Sequence, residues 1–313
     1  MERKVSFFQE PNFLDENIKQ YGVVIFSPFR KISSLFKPFR ILSLRYNLFF
    51  PSIWYTDFEN VIVKSDLIVL PASNFSPRIA KYIDEKISDD RTRLIYWYWD
   101  SVRPAFSPLR ISDRWEKWSF DKADCRRFSL KYNSTYYFKS IQLKKVAIKY
   151  DIMFVGQNKG RLSALLRLNK IFTNLGLSFY LHVVKDNELF NEKYAYKNRI
   201  SYKNLLSLIS QSVAILDLMQ DSQSGLTLRV MESIFLEKKL ITNNLSIVNY
   251  KFYRRENIFI LGHDSQERLN DFIQTPYLKI EEEIVRQYEF AQWLQRIVQN
   301  TILKDEVEEG FSN

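Results

Sequence analysis

YDIMFVGQNKGRLSALLRLNKIFTNLG (150–176) decides the fold of the second half of the chain. Ile152 to Val155 is a short apolar run stopped by Gly156, the pattern of a strand buried on both faces. Behind it, Leu165, Leu168, Phe172 and Leu175 fall on one stripe and Gly176 stands at the stop, so the spacing predicts an amphipathic helix. The alternation then continues. A second strand is expected over Leu177 to Val184, a helix capped by Ser201 over Tyr202 to Gln211, and a third buried strand in SVAILDL. GLTLRVMESIFLE reads as a helix, KKLITNN as a fourth strand and NIFILG as a fifth. Strand and helix in strict succession imply parallel crossovers and a doubly wound sheet.

Working outward, the amino-terminal half has plausible strands at Val23 to Phe26, Leu67 to Leu70 and Leu94 to Trp99, with a helix from Pro77 to Ile87, which suggests a second α/β sheet. The boundary is expected near Lys144 to Lys149, giving domains 1–147 and 148–280. A carboxy-terminal segment, 281–313, follows as one long amphipathic helix, with Ile284, Tyr288, Ala291, Leu294 and Val298 on its apolar side, and an acidic tail.

The 313 residues are 46% hydrophobic and 26% charged, which excludes disorder and collagen. The single cysteine, Cys125, excludes an intramolecular disulfide and fits a reducing cytoplasm. The start, MERKVSFFQEPNF, lacks the apolar core of a secretory signal, and no apolar run approaches a membrane span. The expectation is a soluble chain, or one attached to a membrane only peripherally.

The formal charge of +10 is lopsided: residues 1–150 carry 26 Lys and Arg against 16 Asp and Glu, whereas residues 151–313 carry 20 of each. Within the basic half, Asn17 to Thr56 contains no acidic residue and interleaves Lys19, Arg30, Lys31, Lys37, Arg40 and Arg45 with six phenylalanines. That composition suits an anionic bilayer surface, and equally single-stranded nucleic acid bound by charge and stacking. It is also the composition of core phenylalanines with solvated charges around them.

Two loops suit phosphate. In Gln223-Ser224-Gly225-Leu226-Thr227-Leu228-Arg229-Val230-Met231-Glu232, between a strand and a helix, Gly225 permits close approach, and the helix start offers free N–H groups. Arg229 adds a charge-assisted contact. Arg229 and Glu232 share a helical face, which is equally the spacing of an ordinary surface ion pair. The second loop, Gly156-Gln157-Asn158-Lys159-Gly160-Arg161, lacks both the Walker ending and the three-glycine dinucleotide pattern. Parallel topology brings the two loops together. Two histidines, His182 and His263, cannot furnish a zinc-hydrolase ligand set, and no G-x-S-x-G elbow or Asp-x-Asp triplet occurs, so no metal is expected.

These blocks, with WSFDKADCRRFSLKYN (118–133) and ISYKNLL (200–206), resemble bacterial lipopolysaccharide core and capsular polysaccharide glycosyltransferases of the GT-B class. The resemblance spans roughly residues 94–262. It implies two Rossmann-like domains with parallel sheets facing across a cleft, and metal-independent transfer of a hexosyl or deoxyhexosyl group from a UDP- or dTDP-linked donor onto a surface glycan. It requires no cofactor. Carried over by position, Gly156, Lys159 and Arg161 approach the diphosphate or acceptor side, and Tyr202 lies beside the nucleobase. Gln223, Ser224, Gly225 and Thr227 meet the phosphates, Arg229 neutralises the leaving diphosphate, and Glu232 accepts from the ribose hydroxyls. If the reaction inverts configuration, Asp100 at the end of RLIYWYWD is the preferred general base, with Asp57 behind it. The implied partners are the nucleotide sugar, a glycan or lipid-linked glycan acceptor and the anionic inner-leaflet surface, with no nucleic acid; a homodimer is compatible. A non-catalytic glycosyltransferase-like subunit is the alternative.

Overall fold

Strand β1 (Val5–Phe8) is an interior strand of the first sheet, one in from its edge, although nothing in the amino-terminal sequence singled it out: all four of its residues are buried. The computed structural model describes residues 3–46, 48, 51–87, 91–186, 193–219 and 224–303. The chain forms two units, one of Met1–Ser134 with Leu294–Ile302, the other of Thr135–Trp293 with the carboxy-terminal tail.

The first unit is a six-stranded parallel sheet. After β1 come β2 (Val24–Phe26), β3 (Leu67–Pro71), β4 (Arg93–Tyr98), β5 (Trp115–Ser119) and β6 (Lys131–Tyr132), in the order β2-β1-β3-β4-β5-β6. Its crossovers carry α1 (Asp15–Lys19), α2 (Lys37–Tyr46), α3 (Glu59–Val63), α4 (Ser76–Lys86) and α5 (Lys122–Phe128). The expected strands near residues 23, 67 and 94 and the helix near residue 77 are present. β5 and β6 were not foreseen, because WEKWS alternates in polarity only weakly. The core is aromatic: Tyr96 and Tyr98 of β4 and Trp115 of β5 pack with Phe8 and Phe58. Buried tyrosines need partners for their hydroxyls, and Tyr98 donates to Phe106 O at 2.8 Å.

The second unit is the expected five-stranded parallel sheet, β7 (Tyr150–Gln157), β8 (Phe179–Val184), β9 (Ser212–Asp217), β10 (Lys239–Thr242) and β11 (Ile258–Ile260), ordered β11-β10-β9-β7-β8. Helices α6 (Leu162–Asn174), α7 (Tyr202–Ser210), α8 (Leu228–Phe235) and α9 (Arg268–Gln274) cover it. In both sheets the strand order reverses beside the first strand, between β1 and β3 and between β7 and β9. Ligands of open α/β sheets bind at the carboxyl ends of such strands.

Two boundary expectations change. The first unit stops at Ser134, because the segment beginning at Thr135 packs with the second sheet: Thr135 Oγ1 donates to Leu226 O at 2.6 Å. The carboxy-terminal helix is broken into α10 (Glu282–Arg286) and α11 (Phe290–Gln299). At the break, Tyr137 N donates to Tyr288 O and Phe290 N donates to Tyr137 O, so backbone groups that a continuous helix would use internally pair with another segment. The buried stripe of α11 is consequently Phe290, Trp293 and Ile297, one residue out of phase with Ala291, Leu294 and Val298. Phe290 packs edge-on and Trp293 tilted against Tyr136 in the second unit. In the first unit, Arg93 caps the helix end by donating to Ile297 O and Val298 O. No described helix is long and apolar enough to cross a membrane.

Candidate functional site

The carboxyl ends of β7 and β9 and the start of α8 place Asp217, Arg229, Arg161, Glu232 and Tyr202 in one cluster within the second unit. Thr227 begins α8 by accepting from Val230 N with its hydroxyl, at 3.4 Å. That cap sets the helical phase, so Val230 and Met231 enter the core while Arg229 reaches back across β7. The Arg229 guanidinium donates to Val155 O at 2.7 Å, lies over the Phe154 ring at 5.1 Å and stands 3.6 Å from the Asp217 carboxylate. Its side chain is 22% exposed, whereas that of Asp217 is fully buried. Gly156 is required by this approach, since a Cβ there would run into the Arg229 guanidinium and lie 3.2 Å from the Phe154 ring.

Asp217 is an acid at the end of an otherwise apolar strand, and among the described residues its oxygens meet no donor at hydrogen-bond distance. Burial raises its pKa, against the opposing pull of Arg229 and of the Thr227 hydroxyl. Glu232, also buried, accepts from Tyr202 Oη at 3.0 Å, and Tyr202 in turn shares a hydrogen bond with Tyr137 Oη. Burial pushes the Glu232 carboxyl up to about 7, with Arg229 and the Tyr202 hydroxyl holding it down. Both tyrosine hydroxyls are raised, chiefly by burial.

Arg161 is spent on backbone: it donates to Leu218 O at 2.6 Å, Gln157 O at 2.7 Å and Asn158 O at 3.3 Å. These bonds tie the turn after β7 to the end of β9. Burial, then the neighbouring Arg229, lowers its pKa to about 10. Lys159 occupies a left-handed turn, φ 45°, with its backbone N–H donating to Asp186.

The structure therefore gathers Gly156, Arg161, Tyr202, Thr227, Arg229 and Glu232, and Ser224 and Gly225 lie on the same loop as Thr227. Gln223 lies outside the described residues. Within the cluster, however, Tyr202 and Glu232 face each other inside the fold, and the partner of Arg229 is Asp217. Asp217 and Tyr137 were not anticipated. The signal for Asp217 was present as a carboxylate inside SVAILDL; nothing local marked Tyr137. Asn243 of LITNN pins the loop after β9, accepting from Met219 N at 2.7 Å. In the first unit, Asp100 follows β4 half-exposed, paired with Arg103 at 2.8 Å, and Asp57 is exposed. His182 is a buried strand residue bonded to Asn198 O at 2.8 Å.

No family model and no curated protein matches the chain. Among solved structures it is similar to a glycotransferase of kitacinnamycin, with 9% identity over 94% of this chain and 87% of that one and a TM-score of 0.37. It is also similar to an acyclic imino acid reductase in complex with NADPH and D-Arg, with 10% identity over 97% of this chain and all of that one and a TM-score of 0.23. At those scores neither likeness carries the fold, which rests on the strand order and register of the two sheets.

Proposed function

We propose that the chain is a metal-independent glycosyltransferase that takes a sugar from a UDP- or dTDP-linked donor and adds it to a bacterial surface glycan, working peripherally at the inner face of the membrane. The observation that carries the reading is the cluster at the second sheet's switch point, where a helix start and a partly exposed guanidinium meet beside a glycine that leaves room for them. In this reading the free N–H groups of α8 and the remaining N–H groups of Arg229 take up the charge that develops on the leaving diphosphate, preorganised by Asp217 and Val155 O. Arg161 holds the two strand ends, and the Glu232–Tyr202–Tyr137 chain fixes α8 against α7. Asp100 is the base if the transfer inverts configuration.

Thermal-shift titration of the purified chain with UDP, dTDP, GDP and CMP tests donor binding, since a bound nucleotide stabilises by mass action. Stabilisation by a diphosphate that Arg229→Lys weakens is expected; indifference to all four nucleotides would sink the reading. A second reading, a non-catalytic glycosyltransferase-like subunit, is favoured by the engagement of Arg229, Arg161 and Glu232 within the protein itself. Donor hydrolysis or transfer by the chain alone eliminates it.

A further inference from the structure

The acid-free stretch Asn17 to Thr56 divides in the fold. Phe29 is core, packed on Tyr55 at 5.7 Å, and Phe26 lies 5.7 Å from buried Phe8. Beyond them the chain turns outward into α2 and the turn before it, where Leu35, Phe36, Phe39, Ile41, Leu42 and Tyr46 are all exposed, Leu35 at 77% and Phe39 at 63%. Phe36, Phe39, Leu42 and Tyr46 recur at helical spacing and form one apolar stripe.

This exposure belongs to a helix that is fastened from behind. Leu44 is fully buried, Trp54 Nε1 donates to Ser43 Oγ at 2.9 Å, and Ser43 Oγ donates to Leu48 O at 2.6 Å. Arg40 covers the Phe29 ring at 4.9 Å and donates to Arg30 O at 3.2 Å. The inward face is thus satisfied while the outward face is apolar, and the same segment exposes Lys31, Lys37 and Arg45. An exposed apolar stripe in a segment with exposed cations and no acid matches the boundary of a bilayer that carries anionic lipid, where apolar side chains enter the acyl edge and long cationic ones reach the phosphates.

We propose that the outward face of α2 and its preceding turn is the surface by which this protein lies on an anionic membrane, with Phe36, Phe39 and Leu42 inserted and Lys31, Lys37 and Arg45 on the lipid phosphates. The inference supplies the structural basis of the peripheral attachment in the proposed function, and it is tested without any sugar donor, so failure of the transferase reading leaves it standing.

The test is co-sedimentation of the full chain, at about 0.15 M salt, with phosphatidylcholine vesicles and with vesicles in which part of that lipid is replaced by phosphatidylglycerol. Binding to the anionic vesicles is expected to exceed binding to the neutral ones by about a hundredfold, from roughly fivefold for each of the three exposed cations. Lys31→Gln/Lys37→Gln/Arg45→Gln should reduce the preference to near unity. Phe36→Ser/Phe39→Ser/Leu42→Ser should lower binding to both vesicles by about a thousandfold, at roughly tenfold per side chain. Because all six residues are exposed, the melting temperature should stay unchanged. Vesicle binding by the apolar triple variant at the wild-type level would overturn the proposal. So would absence of wild-type binding to anionic vesicles, an oligonucleotide that binds more tightly than they do, or a stable dimer that the triple variant dissociates while vesicle binding is missing.

Discussion

Replacing Arg229 with methionine keeps an unbranched apolar stem but removes the guanidinium that lies over Phe154, and leaves the fully buried Asp217 with no cation at 3.6 Å and Val155 O with no donor at 2.7 Å. Breaking a buried pair from one side costs about 3–5 kcal/mol. The lower end applies here, because Arg229 is 22% exposed and its separation from the carboxylate is longer than a hydrogen bond. The expected loss is therefore about 3 kcal/mol, read as the shift of the urea midpoint at constant slope. The loss should depend on pH. Burial already raises the folded-state pKa of Asp217, and removing the cation raises it further. A carboxyl shifted in that direction contributes most below its unfolded pKa and loses that contribution as pH rises, so Arg229→Met should cost less at acidic than at alkaline pH. Asp217→Asn removes the charge that the arginine compensates. The double variant should recover about 2 kcal/mol of the single variant's loss, the coupling expected of two contacting residues. If Arg229→Met unfolds within about 0.5 kcal/mol of wild type at alkaline pH, like a surface substitution, the pairing described for Asp217 is wrong.

Glu232 titrates at about 7 in the fold against 4.5 for the free side chain, so it contributes stability that is complete below 4.5 and is lost as pH rises towards 7, at most about 3 kcal/mol. Glu232→Gln should remove that slope from urea midpoints measured across the interval. Gly156→Ala should displace the Arg229 guanidinium from Val155 O and cost about 1.5–3 kcal/mol, and its effect should largely vanish in an Arg229→Met background. Asp100→Asn should change stability by less than about 1 kcal/mol, because its pair with Arg103 is exposed, yet lower turnover by about 10²–10⁴ if the transfer inverts configuration. Turnover and the anomeric configuration of the product, measured together, check it.

The second sheet was legible because each strand, Ile152 to Val155 and Ala214 to Leu216 among them, is a short apolar run ended by a turn, and each helix carries one apolar stripe. Such signals are local, and parallel crossovers leave few ways to join them. Nothing local marks β1, because VSFF is only four residues long and its interior place depends on pairing with β3, where Val5 meets Leu67. The switch-point loops were legible as glycine beside cation. The partners of their side chains were not: Arg229 and Glu232 sit three apart in sequence, yet one turns to Asp217 and the other to Tyr202.

The sequence by itself determined the alternation of strand and helix, the confinement of excess charge to the first half and the two loops that would meet at a strand end, since periodicity and composition need no neighbours. Only the tertiary structure decided which carboxylates are buried, which hydroxyls and guanidinium groups satisfy them, that the carboxy-terminal helix breaks around Tyr137, and that Phe29 is core while Phe39 is exposed. Those are matters of desolvation and of pairing between groups far apart in the chain. The same side chain is an ordinary surface charge or a buried, shifted one according to what the fold places within a few ångströms of it.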